Sequence, residues 1–199
     1  MDLPRAVSLM VFAYLVGSIP FSFLVARAWG VDLRRVGSSN IGAANVWRNC
    51  GPLAALLALA GDLLKGALPT LIAASLGLPD ALVALVGAAA IAGHVRPIFL
   101  AFRGGKAVAT GGGVLLVLFP LMVPIGLAAW AIGFAATRIS AVGSLVAASV
   151  VPLAATLAML VGMADPAPVI FCWVAGLAVI ALHRENIARL RAGTEPRFR

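Results

Sequence analysis

Acidic side chains are scarce in this chain. Seven Asp and Glu stand against fifteen Lys and Arg in 199 residues, with two histidines and two cysteines, and only 11% of residues are charged. A soluble domain carries roughly 25% charged residues. With 62% hydrophobic residues and a mean hydropathy of +1.07, this chain is expected to be integral to a membrane. The few acids Asp32, Asp62, Glu185 and Glu195 are scattered, which argues against a magnesium site held by several carboxylates, and no metal or cofactor is expected. Cys50 lies in a basic loop and Cys172 inside an apolar run, so neither a metal spacing nor a disulfide is expected of them. No long polar linker interrupts the apolar runs, so residues 1–199 are read as a single domain. The first run lacks a basic leader and reads as a first span, not a cleaved signal. The net charge of +8 is assigned to cytoplasmic loops and anionic lipid, since no basic-aromatic pattern suggests a nucleic-acid partner.

What is present is a series of apolar runs. A crossing helix needs about 20 apolar residues, fewer where the bilayer thins. Spans are expected near Ala6–Ala28, Leu53–Leu76, Ala81–Ala101, Ala107–Phe119, Leu121–Thr137, Gly143–Gly162 and Pro168–Leu182, an all-α polytopic bundle of seven spans. The uncharged stretch from Ala107 to Thr137 could be one tilted helix or two short ones, with Pro120 and Pro124 in its middle. Charge decides for two. The loops Val31–Pro52, Phe102–Lys106 and Arg138–Val142 and the C-terminal tail then share one basic face, which leaves only Arg5 opposite. The positive-inside rule makes that face cytoplasmic, with the N-terminus outside and the C-terminus cytoplasmic.

The polar chemistry falls on the same face. "VGSSNIGAANVWRNCG", Val36 to Gly51, offers Ser38, Ser39, the amides of Asn40 and Asn45, the backbone at Gly42, and Arg48, with no helical apolar stripe. Such a loop is either an anion site or a turn-rich loop with a snorkelling arginine. "FRGGKAVATGGG", Phe102 to Gly113, is not a nucleotide-binding P-loop: Leu100 stands where its first glycine belongs and Ala107 where its hydroxyl belongs. Gly104 and Gly105 are nonetheless expected to expose N–H groups beside Lys106 at the start of a helix, a setting that favours anions. Gly111–Gly113 are expected to permit close helix packing. In "RISAVGS" Ser144 reads as a cap at a span entrance. In "HRENIARLRAGTEPRF" His183, Asn186 and Ile187 share one face if the segment is helical, and its arginines suit anionic lipid. "GDLLKG" puts Asp62 and Lys65 inside a span, where a structural salt bridge is expected. His94 and Arg96 lie near the cytoplasmic end of the third span, His94 as a packed histidine.

Several reaction classes are excluded. The dense aspartates of CDP-alcohol transferases are missing. So is the His–Asp pair of classical glycerolipid acyltransferases: Phe99 follows His94 at that distance, and Ala188 follows His183. No Gly-x-Ser-x-Gly elbow occurs. What remains is a metal-free anion site at the inner membrane surface. A small anion transporter or lipid flippase would also need inward basic loops, but it should show internal repeats and charged groups near the midplane.

The segments "GSSNIGAANVWR", "GDLLKG", "GHVRPIFLAFRGGKAVAT" and "HRENIARLRAGTE" resemble, in order and over nearly the whole chain, the bacterial acyl-phosphate:glycerol-3-phosphate acyltransferase family. The resemblance implies a seven-helix, inner-membrane enzyme with its active site on the cytoplasmic side. It implies transfer of a fatty acyl group from acyl phosphate to the 1-hydroxyl of glycerol 3-phosphate, giving lysophosphatidic acid and phosphate at the start of phospholipid synthesis. Its partners are those two substrates and membrane lipid, and a monomer is expected. Carried over by position, the catalytic set is Ser38, Arg48, Lys106, Ser144, His183 and Asn186. The substrate contacts are Asn40, Gly42, Asn45, Gly104, Gly105, Lys106, Thr110 and Glu195. Two positions depart from the family pattern: Ser39 where glycine is frequent, which stiffens the first loop, and Ala141 where a second serine is frequent.

Overall fold

The structure is a computed structural model and describes residues 2–198. In chain order its helices are α1 (Asp2–Gly17), α2 (Phe21–Ala28), α3 (Ala43–Cys50), α4 (Pro52–Ser75), α5 (Asp80–Val95), a 3₁₀ turn at Ile98–Leu100, α6 (Val108–Leu118), α7 (Met122–Thr137), α8 (Ser140–Leu160), α9 (Pro166–Leu182) and α10 (Arg184–Arg191). No strand occurs among the described residues. The chain divides into two compact units, Met1–Leu118 with α1 to α6 and Phe119–Arg199 with α7 to α10.

Each apolar run has a helical counterpart. Among the described residues, four helical segments are long and apolar enough to cross a membrane: Leu3–Ala28, Pro52–Ser75, Asp80–Leu100 and Ser140–Leu160. A fifth is reached if α9 and α10, bent by 53°, count as one span, and α6 and α7 are shorter apolar helices. The stretch from Ala107 to Thr137 is two helices, interrupted at residues 119–121 around Pro120. Pro124 sits within the first turn of α7, where the missing N–H removes no intrahelical bond.

The first run differs from the single helix expected. It is broken between Gly17 and Phe21, where Pro20 removes a donor. In a bilayer the freed backbone groups need partners from the protein itself. Lys65 Nζ on α4 donates to Ile19 O at 2.9 Å, and Ser22 Oγ on α2 donates to Asp62 Oδ2 at 2.6 Å. Asp62 and Lys65 pair as expected, at 2.8 Å and almost fully buried, but they also secure the broken helix.

The first unit packs through small residues. One cluster joins Ala6, Ala13, Ala73, Val83, Val86 and Ala90; another joins Ala26, Leu33, Ile41, Val46 and Ala54 beneath α3. Large apolar side chains such as Leu56, Leu64, Leu127, Ile132 and Leu160 point outward, as they do on a lipid-facing surface. In the second unit α8 packs against both α7 and α9.

Of the three glycines in α6, the expected close packing is met at one. A Cβ on Gly113 would lie 2.0 Å from Leu63 O of α4, whereas one on Gly112 meets nothing within 4 Å. Gly113→Val should therefore push α4 and α6 apart and destabilise the protein by about 1–3 kcal/mol. Gly112→Ala should hold or slightly raise the melting temperature. Thermal unfolding of both variants in detergent checks the pair.

Candidate active site

The first polar segment, Val36 to Gly51, is more ordered than a turn-rich loop. Its second half is α3, with Asn45 and Val46 buried. An apolar face on so short a helix is easily missed, because only Val46 and its neighbours mark it. Asn45 organises everything before it. Its Nδ2 donates to Asn40 O at 3.1 Å and Val36 O at 3.2 Å, while its Oδ1 accepts from Ser38 N at 3.3 Å and Asn49 Nδ2 at 3.1 Å. An amide this committed holds the loop instead of presenting donors outward. Ser39 has φ 54°, in the left-handed region that glycine reaches without cost, so the departure at this position is a strained serine.

Asp32 closes the start of the segment, a role the sequence analysis missed. It accepts from Arg34 Nε at 3.0 Å, Arg34 Nη2 at 2.8 Å and Arg34 N at 3.1 Å. The Arg34 guanidinium holds the carboxyl well below its ordinary range. The aspartate-to-N–H bond two residues on is the signal that could have found it. The same guanidinium lies over the Phe23 ring at 5.0 Å, which ties the loop to α2. Cys50 ends α3, and burial pushes its thiol upward, away from the reactive thiolate. Ser38, Asn40, Gly42 and Arg48 are each partly exposed along this segment.

The second segment turns back on α5. Gly104 N donates to Val95 O at 3.2 Å and Gly105 N to His94 O at 3.1 Å. Contrary to expectation, these N–H groups are not presented to an anion: they satisfy carbonyls left open at the end of α5. The glycines are needed for closeness. A Cβ on Gly104 would fall 2.0 Å from His94 O, and one on Gly105 would fall 2.2 Å from His94 Nε2 and 2.7 Å from Ile41 O. That last contact brings the first and second segments together. The turn is also strained, with Ala101, Phe102 and Ala107 at φ 49°, 62° and 61°. Tyr14 Oη donates to Arg96 O at 2.9 Å and Arg96 Nη1 to Phe102 O at 3.3 Å, bracing it. Lys106 stands between this strained turn and α6, partly exposed. Thr110 is not on the loop surface. It is fully buried on α6, packed where α4 has Gly66.

In the second unit, Ser144 is not a cap. It lies inside α8 and donates to Ser140 O at 3.1 Å. Ile139 occupies the cap position, and Ile139 N is bonded by Thr137 Oγ1 at 3.2 Å. His183 does not share a continuous helix with Asn186. It sits at the bend between α9 and α10, its N–H shared between Val179 O at 3.1 Å and Ile180 O at 3.0 Å. Its Nδ1 lies 2.8 Å from Val179 O. A carbonyl only accepts, so Nδ1 carries the proton and the lone pair of the neutral ring is on Nε2.

Glu195 is buried behind Asn186. Its Oε1 accepts from Asn186 Nδ2 and its Oε2 from Arg189 Nε at 2.7 Å. The tail that carries it is fastened by Phe198 N donating to Arg138 O at 2.8 Å and by Phe198 edge-on to Phe134. The second unit thus joins Asn186, Arg189 and Glu195 on α10 and the tail, with His183 at the bend before α10. The first unit brings Gly105, the neighbour of Lys106, against Ile41 of the loop that carries Ser38 and Arg48. Cationic and amide groups on rigid supports can bind a phosphorylated substrate and hold a hydroxyl or a proton.

A chain of membrane-crossing helices that carries such groups is an integral membrane transferase by its comparisons. The glycerol-3-phosphate acyltransferase family profile matches residues 7–193. The chain is 62% identical to a glycerol-3-phosphate acyltransferase of Roseiflexus sp. (strain RS-1) over 97% of its length and 95% of that protein. It is 49% identical to the enzyme of the same description from Geobacter sulfurreducens, over 94% of each chain. Its fold matches a crystal structure of PlsY (YgiH), described as an integral membrane glycerol 3-phosphate acyltransferase, in the glycerol 3-phosphate form. That match has a TM-score of 0.90 and 38% identity, and covers 98% of this chain and 96% of that one. The lysophosphatidic acid form of PlsY matches with a TM-score of 0.88 and 36% identity, over 98% of this chain and 96% of that one. The chain belongs to the glycerol-3-phosphate acyltransferase family, and is an acyltransferase of phospholipid synthesis.

Asn45 offers a local test of the site's construction. Asn45→Ala strips the first loop of its central bonds and should cost about 1–3 kcal/mol of local stability. Hydrogen exchange should rise over residues 36–42 and stay unchanged in α8.

Proposed function

We propose that the protein transfers a fatty acyl group from acyl phosphate to the 1-hydroxyl of glycerol 3-phosphate, releasing lysophosphatidic acid and phosphate. What supports this reading is the similarity, over 98% of the chain, to an acyltransferase with crystal structures of a glycerol 3-phosphate form and a lysophosphatidic acid form. The enzyme lies in the inner membrane as a monomer of seven spans, with its N-terminus outside and its C-terminus in the cytoplasm. The reaction takes place at the cytoplasmic surface, where the donor's tail remains in lipid. All residues act as one domain.

Lys106 and Arg48 grip phosphate, with Ser38, Asn40 and the backbone at Gly42 adding donors. Gly104 and Gly105 serve by placing Lys106, since their own N–H groups are spent on α5. Asn45 and Thr110 contribute through loop and helix packing. The glycerol hydroxyl attacks the acyl carbon, the carbon–oxygen bond to phosphate breaks, and phosphate leaves with its charge met by fixed donors. The hydroxyl proton passes to a phosphate oxygen of the substrate. His183 and Asn186 orient the reacting groups, Ser144 on α8 adds a hydroxyl, and Glu195 holds the Asn186 amide in register. Holding the reactants in line supplies much of the rate.

Donor choice is the first test. Purified protein should turn over acyl phosphate and not acyl-CoA, and comparable rates with acyl-CoA would overturn the assignment. Residue roles come next. Lys106→Ala should lose about 1.5–3 kcal/mol of binding, roughly ten- to over a hundredfold in kcat/KM. Lys106→Arg should not restore it, because a planar fork does not replace a compact ammonium in a tight turn. His183→Asn should keep a measurable rate with the parent's pH profile. Loss of a titration near the histidine range, together with nearly all activity, would instead make His183 the base.

A further inference from the structure

The buried ion pair in α4 has a second connection, which leads to the turn at Gly104–Lys106. Asp62 and Lys65 could satisfy each other and stop there. Instead they reach α2 and the break in the first span: Ser22 Oγ donates to Asp62 Oδ2, and Lys65 Nζ to Ile19 O. A third helix faces them as well. His94, near the end of α5 and 7% exposed, presents Nδ1 3.7 Å from Asp62 Oδ1. That is close enough for attraction and too long for a hydrogen bond.

The other edge of the same ring supports the turn. His94 Nε2 lies where a Cβ on Gly105 would come within 2.2 Å, and His94 O accepts from Gly105 N. The imidazole is therefore a wedge between the ion pair and the glycine that precedes Lys106. A small cavity bounded by Ser22, Asp62, Lys65, His94, Gly104 and Gly105 marks the same junction. A rotation of the ring cannot occur without moving Gly105 or turning Nδ1 away from Asp62. With Ala107 already at φ 61° on the far side, Lys106 has little freedom to absorb such a shift.

We propose that His94 is a positioning residue: fixed by the Asp62–Lys65 pair, it sets Gly105 and so aims Lys106 at the phosphate of glycerol 3-phosphate. This rests on the reading of the Gly104–Lys106 segment as the loop that binds that substrate. A purely structural ion pair would affect stability and both substrates together. A positioning residue affects one substrate selectively.

The experiment uses the full chain in detergent, with melting temperature and separate KM values for glycerol 3-phosphate and a long-chain acyl phosphate. His94→Ala should raise KM for glycerol 3-phosphate about tenfold or more, and leave that for acyl phosphate within about twofold. His94→Asn keeps a polar group near Nδ1 but loses the Nε2 edge against Gly105, so it should leave most of the loss in place. An unchanged KM for glycerol 3-phosphate in folded His94→Ala, or an equal rise for both substrates, overturns the proposal. If His94→Ala does not fold, Asp62→Asn carries the same test, joined by hydrogen exchange. Faster exchange at residues 103–107 with α8 unchanged supports positioning, and unaltered exchange there overturns it. Lys106→Ala separates the two readings. If it leaves KM for glycerol 3-phosphate unchanged, the loop assignment fails and takes the proposal with it. If it raises KM while His94→Ala does not, only the role of His94 fails.

Discussion

The carbonyl of Ile19 sits where α1 has ended and α2 has not yet begun. In hydrocarbon such a group has no water to accept from, and leaving it open costs several kcal/mol. It accepts from Phe21 N at 3.1 Å and from Lys65 Nζ at 2.9 Å, and Asp62 makes the buried ammonium tolerable. Removing either charge would strand the other, at about 3–5 kcal/mol. This one constraint fixes where α2 leaves the first span, which side of α4 faces it, and what the end of α5 must present. The loop of Ser38 and Arg48 begins from α2, and the turn of Lys106 begins from α5, so both inherit their positions from a buried polar junction.

Binding chemistry is then placed on backbone that is held rather than free. Asn45 draws the first loop around its own amide, and the glycine turn is bonded carbonyl by carbonyl to the last turn of α5. Four non-glycine residues along these two segments adopt left-handed φ: Ser39, Ala101, Phe102 and Ala107. Strain of this sort persists where surrounding bonds over-determine it. In the second unit the same principle recurs with different parts. A carbonyl sets the tautomer of His183, and Glu195 orients Asn186 while Arg189 balances its charge.

Much of this was legible in the amino-acid order. The apolar runs, the proline break near residue 120, the Asp62–Lys65 pair and the resemblance to the acyltransferase family could all be read from it, because hydropathy, proline and charge act locally. Other features could not. The break at Pro20 was hidden in a run that hydropathy alone reads as one helix. The bend at His183 was hidden because a 3.6-residue period continues through it. Gly104 and Gly105 looked like anion donors because nothing in their neighbours shows that their N–H groups turn back on α5.

The sequence by itself determined that the protein is built of membrane-crossing helices, that its polar residues gather in a few segments, and which family it belongs to. These follow from transfer free energies and residue order, which need no partner. Only the tertiary structure decided what each polar group does. It made Asn45 and Asp32 organisers, Thr110 a packing residue, and His94 the wedge between an ion pair and a glycine. A buried hydrogen bond is defined by which distant atom lies about 3 Å away, and that is a property of the folded chain.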